Sequence, residues 1–426
     1  MGTKRTYLPR LVEGVIAESM ETNGCVVIEG AKWCGKSTTA GRFAKSVVTL
    51  QKPATFRQYK MLADIGDGNL LSGEKPILFD EWQKLPDLWD YIRAEIDETG
   101  ARGSFILTGS AKPMEDTKRH SGTGRIKKIT MRTMSMWESG ESTGEVSLAG
   151  MFKGQGKISG RQGHTLRDIA HLICRGGWPA AVLEHDKRLG LQHARDYVES
   201  LITVDVTNVD DIKRNPARAR AILKAYARNV STAAPMTTIQ KDIEANHAVA
   251  DIRTLDSYIN AFAKLFVIED TQAWCPRLRS KTAIRTTNTR HFADPSIAAV
   301  VLNATPDDLM DDVGTLGLLF ENFAVRDLKV YAQMLGGHVF NYHDKDGLEA
   351  DAIIHLNNGQ WGAVEIKLGG ECLINAGAEK LLALSQKIDA ATMKAPAFLM
   401  TLTATGEFAY RRPDGVCVVP VGCLRN

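Results

Sequence analysis

The stretch Val26–Phe43, VVIEGAKWCGKSTTAGRF, constrains this chain more than any other. It spaces an apolar run, two glycines and Lys-Ser-Thr as G-x-x-x-x-G-K-[ST], the P-loop spacing. Gly30 and Gly35 can take backbone angles that a Cβ disfavours. Successive amide N–H groups can then curl around a phosphate. In that reading Lys36 reaches the β- and γ-phosphates of ATP, Ser37 binds Mg²⁺, and Thr38 lies beside them. A helix opening at Lys36 adds free N–H donors and the positive end of its dipole. The competing reading is a plain glycine turn between strand and helix. A strand-like CVVIEG before the motif and a helix-compatible run over Lys36–Val47 after it supply the context that favours a phosphate cradle.

The alternation continues. PILFDE (Pro76–Glu81), SFILTGS (Ser104–Ser110) and GRIKKITMR (Gly124–Arg132) read as strands separated by helical runs. Such alternation predicts an α/β fold with a mostly parallel sheet covered by helices on both faces. Ligands in such sheets sit at the carboxyl ends of the strands, so the P-loop, Asp80/Glu81 and Thr108/Ser110 are expected to converge. Asp80 would then hold the Mg²⁺ shell and Glu81 would polarise the attacking water. Either Thr108 or Ser110 would sense the γ-phosphate. Arg125, in SGTGRIKK, is either a charge-stabilising arginine or a surface residue opening a strand.

Beyond Trp137 the pattern changes. Seven glycines between 139 and 164 suggest a loop or hinge. TLRDIAHLICRGGWPAAVLEH reads as two helices broken at Gly176–Gly177, and 187–230 as mostly helical. Over 235–275, TTIQKDIEA is a short helix. Ile252, Leu255, Ile259, Phe262 and Phe266 then keep a helical rhythm, and LFVIEDTQAW follows as a strand. That is the order of a winged helix-turn-helix, a module that serves equally for protein contacts. Residues 211–290 hold 14 Lys and Arg against 7 Asp and Glu, while the whole chain is only +3. This makes the segment a candidate nucleic-acid surface or an ordinary solvated face.

After residue 310 a long amphipathic helix, LGLLFENFAVRDLKVYAQML, carries Glu321. HVFNYHD, EADAIIHL and WGAVEIKLG follow as strands, with APAFLMTLT and GVCVVPV later. Glu365 and Lys367 are two apart on one strand and share a face, with Asp351 on the neighbouring strand. Two carboxylates can hold Mg²⁺ or Mn²⁺ while the lysine orients water or steadies phosphate charge. The plain alternative is a structural salt bridge from Lys367.

Taken in order, YLPRLVEG, GAKWCGKST, ILFDEWQKLPD, FILTGS, Gly124–Arg125, GGWP, FADPSIA, FENF, EADAIIHL and VEIKLG resemble a large family of bacterial and archaeal P-loop ATP-binding proteins. In that family an AAA-type ATPase core precedes a C-terminal domain of unknown function of the PD-(D/E)XK nuclease-like class. The resemblance implies an ASCE-type sheet, Glu81 as catalytic acid, and nucleotide-dependent assembly into a homo-oligomer in which Arg125 acts across the subunit boundary. It implies an ATPase core over 1–150, a helical, winged-helix middle over 151–290 and an α/β nuclease-like domain over 291–426. Two functions follow from this. One is an ATPase acting on nucleic acid, DNA before RNA. The other is a nucleotide-gated interaction protein on an inactive nuclease-like scaffold. Seven scattered cysteines without C-x-x-C argue against a disulfide framework or zinc site and for a reducing, cytoplasmic setting. One of them, Cys34, sits at a variable P-loop position. Apolar runs fall short of the roughly 18 residues of a membrane span, and no membrane partner is expected, although MGTKRT fits the loose myristoylation pattern.

Overall fold

The computed structural model describes residues 6–111, 122–155, 158–210, 212–245, 251–276, 287–388 and 393–426. All of the MGTKRT pattern except Thr6, and the basic residues Arg277, Arg279, Lys281 and Arg285, lie outside them.

The N-terminal domain is built on five strands: β1 (Cys25–Glu29), β2 (Ser46–Thr49), β3 (Ile77–Asp80), β4 (Phe105–Gly109) and β5 (Ile126–Thr130). They pair in the order β2-β3-β4-β1-β5, every pair parallel. Helices α1 (Val12–Thr22), α2 (Lys36–Gly41), α3 (Pro53–Asp64) and α4 (Leu88–Thr99) precede or connect them. Side chains alternate across a strand, so Cys25, Val27, Phe79 and Leu107 enter one core while Val26, Ile28, Leu78 and Ile106 enter the other. Both faces are thus covered, as the apolar runs require. The helix expected over Lys36–Val47 stops at Gly41, and Ser46–Thr49 forms the edge strand instead. Its β-branched Val47 and Val48 suit a pleated edge better than a third helical turn.

The glycine-rich stretch is not a free hinge. It forms β6 (Val146–Ser147), α5 (Leu148–Phe152) and β7 (Gly160–Arg161). The next helices are α6 (Leu166–Arg175), α7 (Pro179–Val182), α8 (Lys187–Ser200) and α9 (Val206–Asn208). A π-helical turn over Leu201–Asp205 joins the last two. Then come α10 (Pro216–Arg228), α11 (Met236–Ala245) and α12 (Ile252–Lys264). The buried face of α12 is Leu255, Tyr258, Ala261 and Phe262, and Phe266 is buried just beyond it. Ile252, expected on that face, is 39% exposed because it is the first residue after the Asp251 cap. Where a strand was expected over Leu265–Trp274, the described residues make isolated bridges only: Ile268 with Phe292, Thr271 with Thr289, and Ala273 with Asn341.

The chain continues through α13 (Pro295–Leu302), α14 (Pro306–Asp311) and α15 (Val313–Met334). A second sheet follows, from β8 (Gly337–His343), β9 (Glu349–Leu356) and β10 (Trp361–Lys367), then α16 (Glu371–Lys387), β11 (Leu399–Thr403), β12 (Phe408–Arg411) and β13 (Cys417–Pro420). Its order is β7-β12-β13-β11-β10-β9-β8. A last strand, β14 (Leu424–Arg425), pairs with β6. Helix α15 packs on β8, β9 and β10. Met400, Leu402, Val364 and Ile366 belong to the same core as α15, and Ile353, Ala363 and Leu381 to the core under α16.

Candidate nucleotide-binding site and C-terminal cluster

The P-loop leaves the carboxyl end of β1 with Gly30 at φ 155° and Gly35 at φ 105°. A Cβ on Gly30 would stand 2.1 Å from the Met131 carbonyl oxygen, so only glycine fits that approach. Lys36 is buried and donates to the carbonyls of Gly30 and Ala31, both at 2.8 Å. Ser37 and Thr38 face solvent in the first turn of α2. The Ser37 hydroxyl donates to Asp80 Oδ1 at 2.5 Å, and Thr108 donates to the same oxygen at 2.7 Å. Asp80 ends β3 and pairs in register with Thr108 on β4. Glu81 follows at φ 59° and accepts from Ser110 Oγ at 2.9 Å and from the Gln83 amide. The two hydroxyls left open by the sequence thus have separate partners, Thr108 on Asp80 and Ser110 on Glu81.

The oxygens of Ser37 and Asp80 are a hard donor pair suited to Mg²⁺, and the glycine backbone and Lys36 are suited to the phosphates it accompanies.

Arg125 stands elsewhere. It precedes β5 at the amino end, where Ile126 pairs with Cys25, the first residue of β1. Its Nε lies 2.6 Å from Asp97 on α4. Five residues of strand, roughly 16 Å, separate that level from the P-loop of the same chain.

Sequence reasoning missed the polar seam joining the domains. Arg10 donates to the P-loop carbonyl of Cys34 at 2.9 Å and pairs with Glu138 at 3.1 Å, both side chains buried. Met134 N–H donates to Gly177 O at 2.7 Å, and Gly177 N–H donates to Asp294 Oδ2 at 2.9 Å. A Cβ on Gly177 would meet Met134 O at 2.2 Å, which explains the second glycine of GGWP. Arg326 of α15 pairs with Asp294 at 3.1 Å and Asp327 at 2.8 Å. Asp327 also accepts from Met136 N–H at 2.9 Å. Burial pushes the Asp327 carboxyl up to about 6 despite that guanidinium. Nearby, Arg132 grips both oxygens of Glu269 at 2.5–3.0 Å, and Lys329 donates to the Glu269 carbonyl at 2.7 Å. Arg10, Gly177 and Asp294 lie in the stretches YLPRLVEG, GGWP and FADPSIA, while Glu138, Arg326 and Asp327 stand out only as charged residues among apolar ones.

In the C-terminal domain β9 and β10 are antiparallel neighbours, with Ala352 opposite Val364. Asp351 and Glu365 therefore converge, but on the ammonium of Lys367: Nζ is 3.1 Å from Asp351 Oδ2 and 2.7 Å from Glu365 Oε2. Asp351 Oδ2 also accepts Ile366 N–H at 2.7 Å. The Glu365 contact is an ion pair without hydrogen-bond geometry. Burial raises the Glu365 carboxyl to about 7, with the Asp351 charge adding to it. Glu321 is pushed up by burial and then by Asp351, and its carboxyl lies 3.7 Å from Nε2 of His291, an imidazole that burial keeps neutral. Among the described residues no group of three or more His, Cys, Asp or Glu is arranged to hold a metal ion. Asp351 and Glu365 thus meet on Lys367, and their charges reach Glu321 on α15.

Residues 22–139 match the family model described as an AAA domain. The N-terminal domain is an AAA-type P-loop domain. Residues 166–308 and 316–424 match two models described as domains of unknown function, DUF8612 and DUF4143. No curated protein matches the chain. Among solved structures, a Walker-type ATPase of Pyrococcus abyssi is similar at 13% identity over 70% of this chain and 97% of its own, with TM-score 0.42. A RuvB variant of Thermotoga maritima is 13% identical over 61% and 88%, with TM-score 0.26. Drosophila ORC bound to DNA is 13% identical over 68% and 85%, with TM-score 0.20. Among the described residues no helix is long and apolar enough to cross a membrane.

Proposed function

We propose that this protein is an ATPase that couples its nucleotide state, through the polar seam, to action on nucleic acid by its C-terminal domain. The observation that carries the first half is the pairing of Ser37 and Thr108 on Asp80 beside Glu81. Nucleotide and Mg²⁺ would be held by the P-loop amides, Lys36, Ser37 and Asp80, where the ion neutralises phosphate charge. Glu81 would take the proton of the attacking water once it leaves Ser110 and Gln83. Arg125 would serve a neighbouring subunit, since its own P-loop is at the far end of the sheet. The seam supports coupling because it runs from Cys34 through Arg10 and Glu138 to Ser135, and from the adjacent Met134 through Gly177 to Asp294 and Arg326.

A second reading is favoured by Lys367 lying between Asp351 and Glu365. There the nuclease-like domain is an inactive scaffold, and nucleotide gates a protein contact. ATP hydrolysis and nucleic-acid cleavage are measured side by side with Mg²⁺ and Mn²⁺. Lys36→Ala should weaken nucleotide binding, and Glu81→Gln should keep binding and stop turnover. Normal turnover by Glu81→Gln refutes the assigned base. Cleavage lost in Asp351→Ala and Lys367→Ala with ATP hydrolysis intact supports the nuclease. No cleavage in any nucleotide state leaves the scaffold.

A further inference from the structure

Arg10 sends its guanidinium to three separate stretches of chain. Nη1 donates to the Cys34 carbonyl of the P-loop at 2.9 Å, Nη2 to the Arg132 carbonyl just past β5 at 2.8 Å, and Nε to Glu138 Oε1 at 3.1 Å. Arg10 is 6% exposed. Glu138 is fixed in turn, because its Oε1 also accepts Leu11 N–H at 2.8 Å and its Oε2 accepts Ser135 N–H at 2.8 Å and Ser135 Oγ at 3.0 Å. A planar guanidinium carries its donors in a rigid fork and cannot turn toward one partner without leaving the others. The Cys34 carbonyl is therefore held from a fixed direction.

The consequence falls on the next amide. The Cys34–Gly35 peptide is trans, so Gly35 N–H points opposite to the Cys34 carbonyl and away from Arg10. Gly35 stands at the head of α2, where amides have no partner within the helix. Rotating that peptide changes the φ of Gly35, and glycine resists such a rotation least. The restraint has to come from outside the residue. A Cβ on Gly35 would stand 3.5 Å from Arg10 Nη1, so the guanidinium lies directly against the loop. Lys36 holds the carbonyls of Gly30 and Ala31 at 2.8 Å, and Arg10 holds that of Cys34.

We propose that Arg10 is a positioning residue for nucleotide binding: it does not touch the ligand, and it fixes the Cys34–Gly35 peptide so that Gly35 N–H faces the phosphates. The assignment rests on the reading of the P-loop as a nucleotide site. It gives the arginine of YLPRLVEG a task beyond joining the domains, since a loop ordered in advance spares the ligand the cost of ordering it. Its pairing with Glu138 leaves direction, rather than free charge, as what Arg10 supplies to the loop.

Isothermal titration of the full chain with Mg²⁺·ADP and Mg²⁺·ATP, beside the melting temperature of each variant, tests this. Arg10→Lys keeps the charge and loses the fork, and Arg10→Ala loses both. Ile92→Ala, in the core on the face of the sheet opposite α2, controls for lost stability. Both Arg10 variants should weaken binding by about ten- to a hundredfold, as for a lost hydrogen bond to a charged group. The factor should be the same for ADP and ATP, because the loop amides serve phosphates that both carry. Ile92→Ala should lower the melting temperature and leave both affinities unchanged. If Arg10→Ala does not fold, Arg10→Lys carries the test alone. Wild-type affinity in Arg10→Lys, a loss confined to ATP, or affinity falling in step with melting temperature across all variants overturns the positioning role and leaves the nucleotide site standing. Failure of the wild type to bind either nucleotide overturns the site itself.

Discussion

Glu269 is bound by Arg132, just past the last strand of the AAA-type sheet, and lies 3.7 Å from Lys329 of α15. Burial alone would raise its carboxyl; the Arg132 and Lys329 charges outweigh that and hold it at about 2, against 4.5 ordinarily. The folded pKa is depressed, so the contribution to stability is complete above the unfolded pKa and is lost as pH falls toward about 2. Two and a half pKa units correspond to about 3 kcal/mol. Solvent reaches 27% of the Glu269 side chain, and screening there makes that figure a ceiling. At pH 3.5 the unfolded chain already binds most of its proton, and about 1.4 kcal/mol of the contribution is gone. Urea unfolding of the wild type and Glu269→Gln, followed at pH 7 and 3.5, should show their midpoints converging on acidification. A constant gap between them would refute the electrostatic origin of the effect. No gap at pH 7 would show that the substituted amide restores the contact by hydrogen bonding and that charge adds nothing.

Gly30→Ala should abolish nucleotide binding and lower the melting temperature, because its Cβ meets Met131 O at 2.1 Å; Gly68→Ala, with open space around it, is the matched control. Arg326→Met strands two buried carboxylates and should cost about 3–5 kcal/mol, with part recovered in the double variant with Asp294→Asn; additive losses in urea midpoints would show that the pair is not coupled. Mixing Arg125→Ala with Glu81→Gln subunits should restore some ATP hydrolysis. No rescue in exchanging mixtures, with a monomer in every nucleotide state by light scattering, refutes a shared site.

The nucleotide half was legible because its chemistry depends on local sequence. Gly30, Gly35, Lys36 and Ser37 lie within eight residues, and the apolar run before Asp80 fixes the strand end that carries it. Register explains why Thr108 and Ser110 could not be told apart: only the pairing of Asp80 with Thr108 assigns the aspartate to one hydroxyl and leaves Glu81 to the other. Arg125 was legible as a residue and illegible as a position, because strand direction decides which end of the sheet it occupies. The nearness of Asp351 to Glu365 and a salt bridge from Lys367 are both legible from period two, and only the side-chain rotamers decide that Lys367 reaches both carboxylates. Asp294 lies 32 residues before Arg326, and their meeting is set by the packing of α13 against α15.

The small strands of the glycine-rich stretch change what a modular dissection of this protein can yield. Gly160–Arg161 closes one edge of the second sheet, and Val146–Ser147 pairs with Leu424–Arg425. Ser142 Oγ donates to Leu424 O at 2.7 Å, and Thr143 N–H to Gly422 O at 2.8 Å. The chain is thus laced like a drawstring, with residues 142–161 knotted to 404–426 around the helical middle. A fragment beginning at 291 would carry a bare, aromatic β12 edge open to pairing with other chains. A cut placed near 140 would keep the lacing in one piece, and a cut near 290 would pull it out.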